Sequence, residues 1–267
     1  MSARAQRRHS PWPRPLLVLM YHGVHQDAHA PGHFDVRYSV TPAAFDAQMA
    51  LLAARRESVW LPNESEPEST GAPTVMISFD DGDESNVTQA LPCLLAHRLR
   101  AMFFITSQHL DGAGWISGAQ LRELSDAGMH IGSHGASHRF LNTLNPAALR
   151  AELRDSRNLL EEVGGRRVDW LALPGGRGGA RVSRTAHALA YRRVFGSVPG
   201  INTRPSESSD VQRVAITREV TLEGFADILA WRGSTVAALR WRHRLLRMPR
   251  MLIGDLRYDA LRKALLR

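Results

Sequence analysis

Cysteine is all but missing from this chain: Cys93 is the only one in 267 residues. One thiol excludes an internal disulfide and a zinc cage built from cysteines. Cys93 sits inside an apolar helical pattern and reads as a small buried hydrophobe rather than a nucleophile. Lysine is as scarce, with Lys263 alone, so arginine carries the formal net charge of +8. Such a charge suits nucleic acid, anionic lipid or an acidic polymer, or it reflects the compositional habit of the source genome. No aromatic-basic groove motif accompanies the arginines, so nucleic acid is not an expected partner. Long apolar runs are also absent, and no stretch reaches the length that crosses a bilayer. The run Leu16 to Met20, behind the basic Arg4, Arg7, Arg8 and Arg14, is too short for a signal-peptide core. The expected location is cytoplasmic, free or peripheral at the inner face of the membrane.

The apolar content is that of a globular protein, 43%, and the length gives ample core for a single α/β barrel or open sheet. Short apolar runs alternate with helical patterns. Strands are expected at 16–21, 74–79, 101–105, 129–132, 169–173, 193–198 and 211–216. Between them, Thr41-Pro42 opens a helix carrying Phe45, Met49 and Leu52 at helical spacing. Asn86 is placed to cap a helix through His97, with Pro92 kinking it. Ser117 caps a helix stopped at Gly128, Asn145-Pro146 opens a long one ended by Gly164-Gly165, and another lies near 181–190. Roughly seven βαβ units favour a barrel over an open sheet. Residues 1–15 read as a loose arm, 16–230 as the barrel, and 231–267 as a basic amphipathic helical extension.

In such barrels chemistry collects at the carboxyl ends of strands. His22, Asp80, Asp81, His134 and Pro174-Gly175-Gly176-Arg177 all follow expected strands. The densest signal is Ser78-Phe79-Asp80-Asp81-Gly82. Strand alternation forbids two adjacent carboxylates from sharing one face, but at a strand end broken by glycine they can converge. The spacing His134-Gly135-Ala136-Ser137-His138 puts two imidazoles on one face of a helical turn. One carboxylate and two histidines make a common three-ligand set for a catalytic divalent metal. Each piece has a plainer reading: an Asp-Gly turn, a surface histidine pair, a solvated loop arginine at Arg177. His25, His29, His33, His97, His109 and His130 read as loop or packing residues. Trp115 reads as a loop anchor, with sugar stacking as the alternative.

The Asp80-Asp81 and His134–His138 motifs, in that order, resemble the first two motifs of the polysaccharide deacetylases, the NodB-homology superfamily or carbohydrate esterase family 4. The resemblance extends to Val18–Gly23, Phe103–Thr106, Leu173–Arg177 and Phe195–Asn202, within residues 16–230. It implies a distorted (β/α)7-type barrel. It further implies that Asp80 is the general base, that Asp81, His134 and His138 bind a divalent ion, usually zinc, and that the substrate is an acetylated glycan. Two features depart from the family pattern. The late Leu-x-x-His histidine is missing from Val220–Leu229, and Leu171-Ala172-Leu173 stands where an arginine usually precedes the proline. Some exopolysaccharide deacetylases supply the acid from a histidine on the first strand, which points to His22. Arg177 becomes a candidate for orienting Asp80 or gripping a substrate hydroxyl, and Pro174 to Arg177 for binding substrate.

The expected function is removal of acetyl groups from N-acetylated sugars of a polysaccharide or glycolipid precursor. Hydrolysis of a non-sugar amide or cyclic imide, and an inactive glycan-binding barrel, stay open. The arginines, leucines and tryptophans of the tail suit either an anionic membrane surface, near a lipid-linked saccharide, or packing on the barrel.

Overall fold

A computed structural model describes residues 15–27, 35–55, 59, 61, 74–203, 210–232, 235 and 237–241. The strands are β1 (Leu16–Tyr21), β2 (Gly23–Val24), β3 (Ser39–Val40), β4 (Thr74–Phe79), β5 (Met102–Ile105), β6 (His130–Ser133), β7 (Trp170–Ala172), β8 (Arg193–Phe195), β9 (Ile201–Asn202) and β10 (Val214–Ala215). The helices are α1 (Pro42–Ala53), α2 (Leu91–Ala96), α3 (Gly118–Asp126), α4 (Pro146–Gly164), α5 (Ala180–Ala188) and α6 (Leu222–Leu229). Seven strands form one parallel sheet in the order β10-β1-β4-β5-β6-β7-β8. The sheet curls until Phe195 of β8 bridges Val211, just ahead of β10. The fold is therefore the expected distorted barrel. Its distortion has a local cause: antiparallel β9 takes the start of the β1 edge at Leu16 and Leu17, and β10 takes the end at Leu19 and Met20.

Strand alternation sorts the side chains into two layers. Leu16, Val18, Met76, Met102, Phe104, Trp170, Ala172 and Phe195 fill the barrel interior with Leu61 and Val211. Leu17, Leu19, Tyr21, Ile77, Phe79, Phe103 and Ile105 point outward and pack under the helices. Burying each large apolar side chain is worth roughly 1.5–3 kcal/mol, so both layers hold the strand ends in place. Gly132 makes the interior possible: a Cβ there would lie 2.5 Å from Phe104 Cδ1 and 2.7 Å from Met102 Cε. Gly132→Ala is expected to lower stability by about 1–3 kcal/mol through overpacking, read from the denaturant midpoint at unchanged slope.

Several elements differ from expectation in detail. Thr41, Ser117 and Asn145 cap α1, α3 and α4 as their sequences require, and Gly165 ends α4 in the left-handed region. Asn86 does not cap: Asn86–Ala90 forms a π-helical turn ahead of α2, and the Asn86 amide is used elsewhere. Pro92 falls in the first turn of α2, directly after that π-helical turn. The short β2–β3 pair and β9 fall outside the expected strands, because two-residue strands carry no periodicity to detect. The N-terminal arm through residue 14 and the tail from 242 lie outside the described residues, as do His29 and His33. Of the tail that is described, Leu239 packs partly against the core, Arg240 Nε donates to the Pro199 carbonyl (3.3 Å), and Trp241 is 66% exposed.

Candidate active site

Parity brings the site residues inward. Met76, Ser78 and Asp80 share the inner face of β4 and its continuation, as Val18, Met20 and His22 do on β1, and Gly132 and His134 on β6. Asp81 should then point outward. Instead its φ of 77° turns the chain left-handed, followed by Gly82 at 93°, and the second carboxylate swings back over the barrel mouth. His138 sits at φ 58° and Gly135 at 81°. The two imidazoles therefore meet through a loop with two left-handed residues, not along a helical turn as their spacing predicts. Left-handed backbone at non-glycine residues costs on the order of 1–2 kcal/mol each, and both instances here carry candidate ligands.

His134 Nε2 lies 3.3 Å and His138 Nε2 3.2 Å from the same Asp81 oxygen, Oδ1. The three donor atoms fall within 4.8 Å of one another. That Oδ1 is buried and makes no hydrogen bond among the described residues. His134 Nδ1 faces the Ala172 carbonyl at 3.0 Å, which fixes its proton there and leaves Nε2 with a lone pair towards the site. Ligands at zinc-like bond lengths and tetrahedral angles would stand about 3.3 Å apart, so the spacing and the unsatisfied oxygen fit a divalent cation. Burial pushes the Asp81 carboxyl up, but the two adjacent imidazoles prevail and hold it well below the usual range. Burial likewise lowers His138, and Asp81 raises it above the ordinary imidazole value on balance.

Asp80 is held differently. Arg213 grips it with both arms, NH1 to Oδ1 at 2.6 Å and NH2 to Oδ2 at 2.7 Å, with side chains 1% and 3% exposed. Arg213 Nε donates to the Gly196 carbonyl at 2.7 Å, fixing the guanidinium plane. Burial raises the Asp80 carboxyl, the Arg213 charge opposes it, and the balance lies below the usual value. This arginine comes from just ahead of β10, not from the stretch before Pro174. Both Asp80 oxygens are taken by Arg213, and the Arg177 guanidinium stacks 3.6 Å from the Phe140 ring centre. The rest of that turn is tightly packed, since a Cβ at Gly176 (φ 67°) would collide with Ser197 Oγ and one at Gly135 would touch Pro174.

His22 lies half-buried at the end of β1, its ring 4.8 Å from Tyr38. Its Nδ1 is buried with no hydrogen bond among the described residues. It is close enough that a charge on it lowers both Asp80 and Asp81. Asn86 Nδ2 donates to its carbonyl at 2.7 Å. His25 is a clip: Nδ1 meets Ser39 Oγ at 2.7 Å and Nε2 meets Asp83 at 3.1 Å, and Asp83 also takes the Ser85 N–H at 2.8 Å. From α4, Glu152 accepts the Ser137 N–H at 2.6 Å, and Ser156 donates to the Gly135 carbonyl at 3.0 Å, fastening the histidine loop. Trp115 is half-buried, its ring 4.3 Å from that of His109, and it bridges to Asp83.

Arg213, Asn86, Glu152 and Ser156 are not found by reading motifs. Glu152 and Ser156 did leave a trace. They stand four apart between Leu149, Leu153 and Leu160, polar residues on the apolar side of an amphipathic helix.

A curled parallel barrel with this carboxylate–histidine group at its mouth fits a metal-dependent hydrolase, and comparison with known proteins gives the kind. Residues 68–194 match the family model described as polysaccharide deacetylase. The Bacillus subtilis (strain 168) protein YxkH, which carries the same family description, is 24% identical over 213 residues, 77% of this chain and 72% of its own. A polysaccharide deacetylase from Bacillus cereus superposes with a TM-score of 0.72 at 25% identity, covering 81% of this chain and 69% of that one. The Streptococcus pyogenes deacetylase PplD, solved in complex with acetate, gives 0.72 at 21% identity, covering 81% and 99%. Residues 68–194, a little under half of the chain, carry the polysaccharide deacetylase match, and the chain is similar to these hydrolases of non-peptide carbon–nitrogen bonds.

Proposed function

We propose that this protein is a polysaccharide deacetylase and removes acetyl groups from N-acetylated sugars of a polysaccharide or glycolipid precursor. Asp81, His134 and His138 hold a divalent cation, Asp80 is the base and His22 the acid. The observation that carries the reading is a fully buried, arginine-locked carboxylate, Asp80, next to a three-donor set whose shared oxygen lacks a hydrogen bond. Two imidazoles and one carboxylate favour zinc. A bound cation supplies Lewis acidity at the acetyl carbonyl and a lowered pKa for water.

The chain's own residues do the rest. Asp80, kept ionised by Arg213, accepts a proton as water attacks the acetyl carbon. The carbon–nitrogen bond then breaks, His22 gives its proton to the departing sugar amine, and acetate leaves. Pro174 to Arg177 form the rim against which the sugar is oriented.

The test is acetate release from N-acetylated oligosaccharides. Chelation should abolish it and added Zn2+ restore it; activity untouched by exhaustive chelation, or none in the zinc-loaded protein, removes the reading. His22→Ala should lower kcat on amides by about 10²–10⁴-fold. It should leave hydrolysis of an aryl acetate, whose leaving group needs no proton, within a few-fold of wild type. Full amide activity in His22→Ala would strike that residue from the mechanism.

A further inference from the structure

A second set of three donors gathers in the helical layer and shares no residue with the group at the barrel mouth. Asp46 lies on α1, and Cys93 and His97 lie one turn apart at the end of α2. Their ligand atoms fall within 4.8 Å of one another. His97 Nε2 is 2.8 Å from Asp46 Oδ1, and Cys93 Sγ is 3.7 Å from the same oxygen. The backbone bond from His97 N to Cys93 O (3.1 Å) fixes both side chains on one face. Beneath them Phe45, Met49, Leu91 and Leu94 pack in the core, so the two helices present this face to solvent at a set separation. Asp46 is 66% exposed and His97 22%, and Cys93 is half-buried rather than the buried hydrophobe its pattern predicts.

We propose that Asp46, Cys93 and His97 form a second metal site, for a borderline-soft divalent cation of the Zn2+ or Co2+ class, clamping α1 to α2. Tetrahedral ligation would set nitrogen and oxygen about 3.3 Å apart and sulfur and oxygen about 3.6 Å, so the two distances to the Asp46 oxygen lie within about half an ångström of those values. The thiol selects against magnesium and calcium, which take oxygen ligands. Three protein donors leave a fourth position facing water. On binding, the Cys93 S–H bond breaks, the sulfur–metal bond forms, and the proton passes to solvent; His97 ligates through Nε2 with its proton on Nδ1. A nucleophilic role for the thiol is disfavoured, because burial and the Asp46 carboxylate push it up to about 12.

The test is titration of the metal-free full chain with Co2+, followed by absorption. The wild type should show a thiolate-to-cobalt charge-transfer band in the near ultraviolet and take up two ions. Cys93→Ser should lose the band and one ion while its zinc-loaded deacetylase activity is unchanged. Asp46→Asn and His97→Gln should weaken the band-forming step at least about tenfold. Asp81→Asn should keep the band, which separates this site from the one at the mouth. Absence of the band in the wild type, its survival in Cys93→Ser, or indifference to Asp46→Asn and His97→Gln together would overturn the site.

Discussion

Arg213→Met is expected to destabilise the protein by about 3–5 kcal/mol, the cost of leaving a buried carboxylate without its partner. Both guanidinium arms end on Asp80, and neither residue reaches solvent, so water cannot take over. The sign of the pH dependence distinguishes this from a simple packing defect. In the wild type the depressed Asp80 carboxyl contributes stability that is present above its unfolded value, about 3.9, and is lost as pH falls through the folded one. In the variant, burial is no longer opposed by the arginine and raises the folded value above the unfolded one. The variant therefore regains stability relative to wild type as pH falls through that raised value. Denaturant midpoints across pH read the effect directly. A wild-type–variant gap that is constant with pH would mean that Arg213 serves packing alone. The acid limb of the acetate-release profile should move to higher pH in the same variant, since a neutral Asp80 cannot accept a proton. Arg213 is in this sense a positioning residue, acting on water only through Asp80.

The sequence displays the barrel and the donor set because each is written in local pattern. β1 and β4 are continuous apolar runs with the bounds expected, and the caps Thr41, Ser117 and Asn145 stand at the helix starts they predict. Asp81, His134 and His138 are identified by motif and come together in space. What the pattern could not supply is how they come together. Residue spacing suggests a helical turn for the histidines, whereas left-handed backbone at Asp81 and His138 does the work. Such conformations at non-glycine residues are imposed by surroundings: the Thr106 N–H on the Asp81 carbonyl, the Glu152 carboxylate on Ser137, and the Ser156 hydroxyl on Gly135. Those partners come from elsewhere in the chain, so no window of sequence contains them. Arg213 is the extreme case. It lies 133 positions from Asp80, in a chain whose positive charge is nearly all arginine, and nothing local distinguishes it from its fellows. The candidate chosen by position, Arg177, follows the right strand but is captured by Phe140.

Asp80→Asn should lower acetate release by about 10²–10⁴-fold, the usual worth of a positioned base, while cation binding at Asp81, His134 and His138 persists. The difficulty is that the same change strips Arg213 of its counter-charge, so lost activity could follow from lost structure. The double variant Asp80→Asn with Arg213→Met resolves this. A buried pair removed from both sides costs far less than one broken from one side. The double variant should therefore recover most of the stability lost in either single change, a coupling on the order of 3 kcal/mol in a thermodynamic cycle. Its activity should not recover at all, because no carboxylate remains to take the proton. Stability regained with activity still absent assigns Asp80 to the chemistry and Arg213 to its support. Activity that returned with stability would instead make the pair a structural bolt, and the base would have to be sought among the other groups at the mouth.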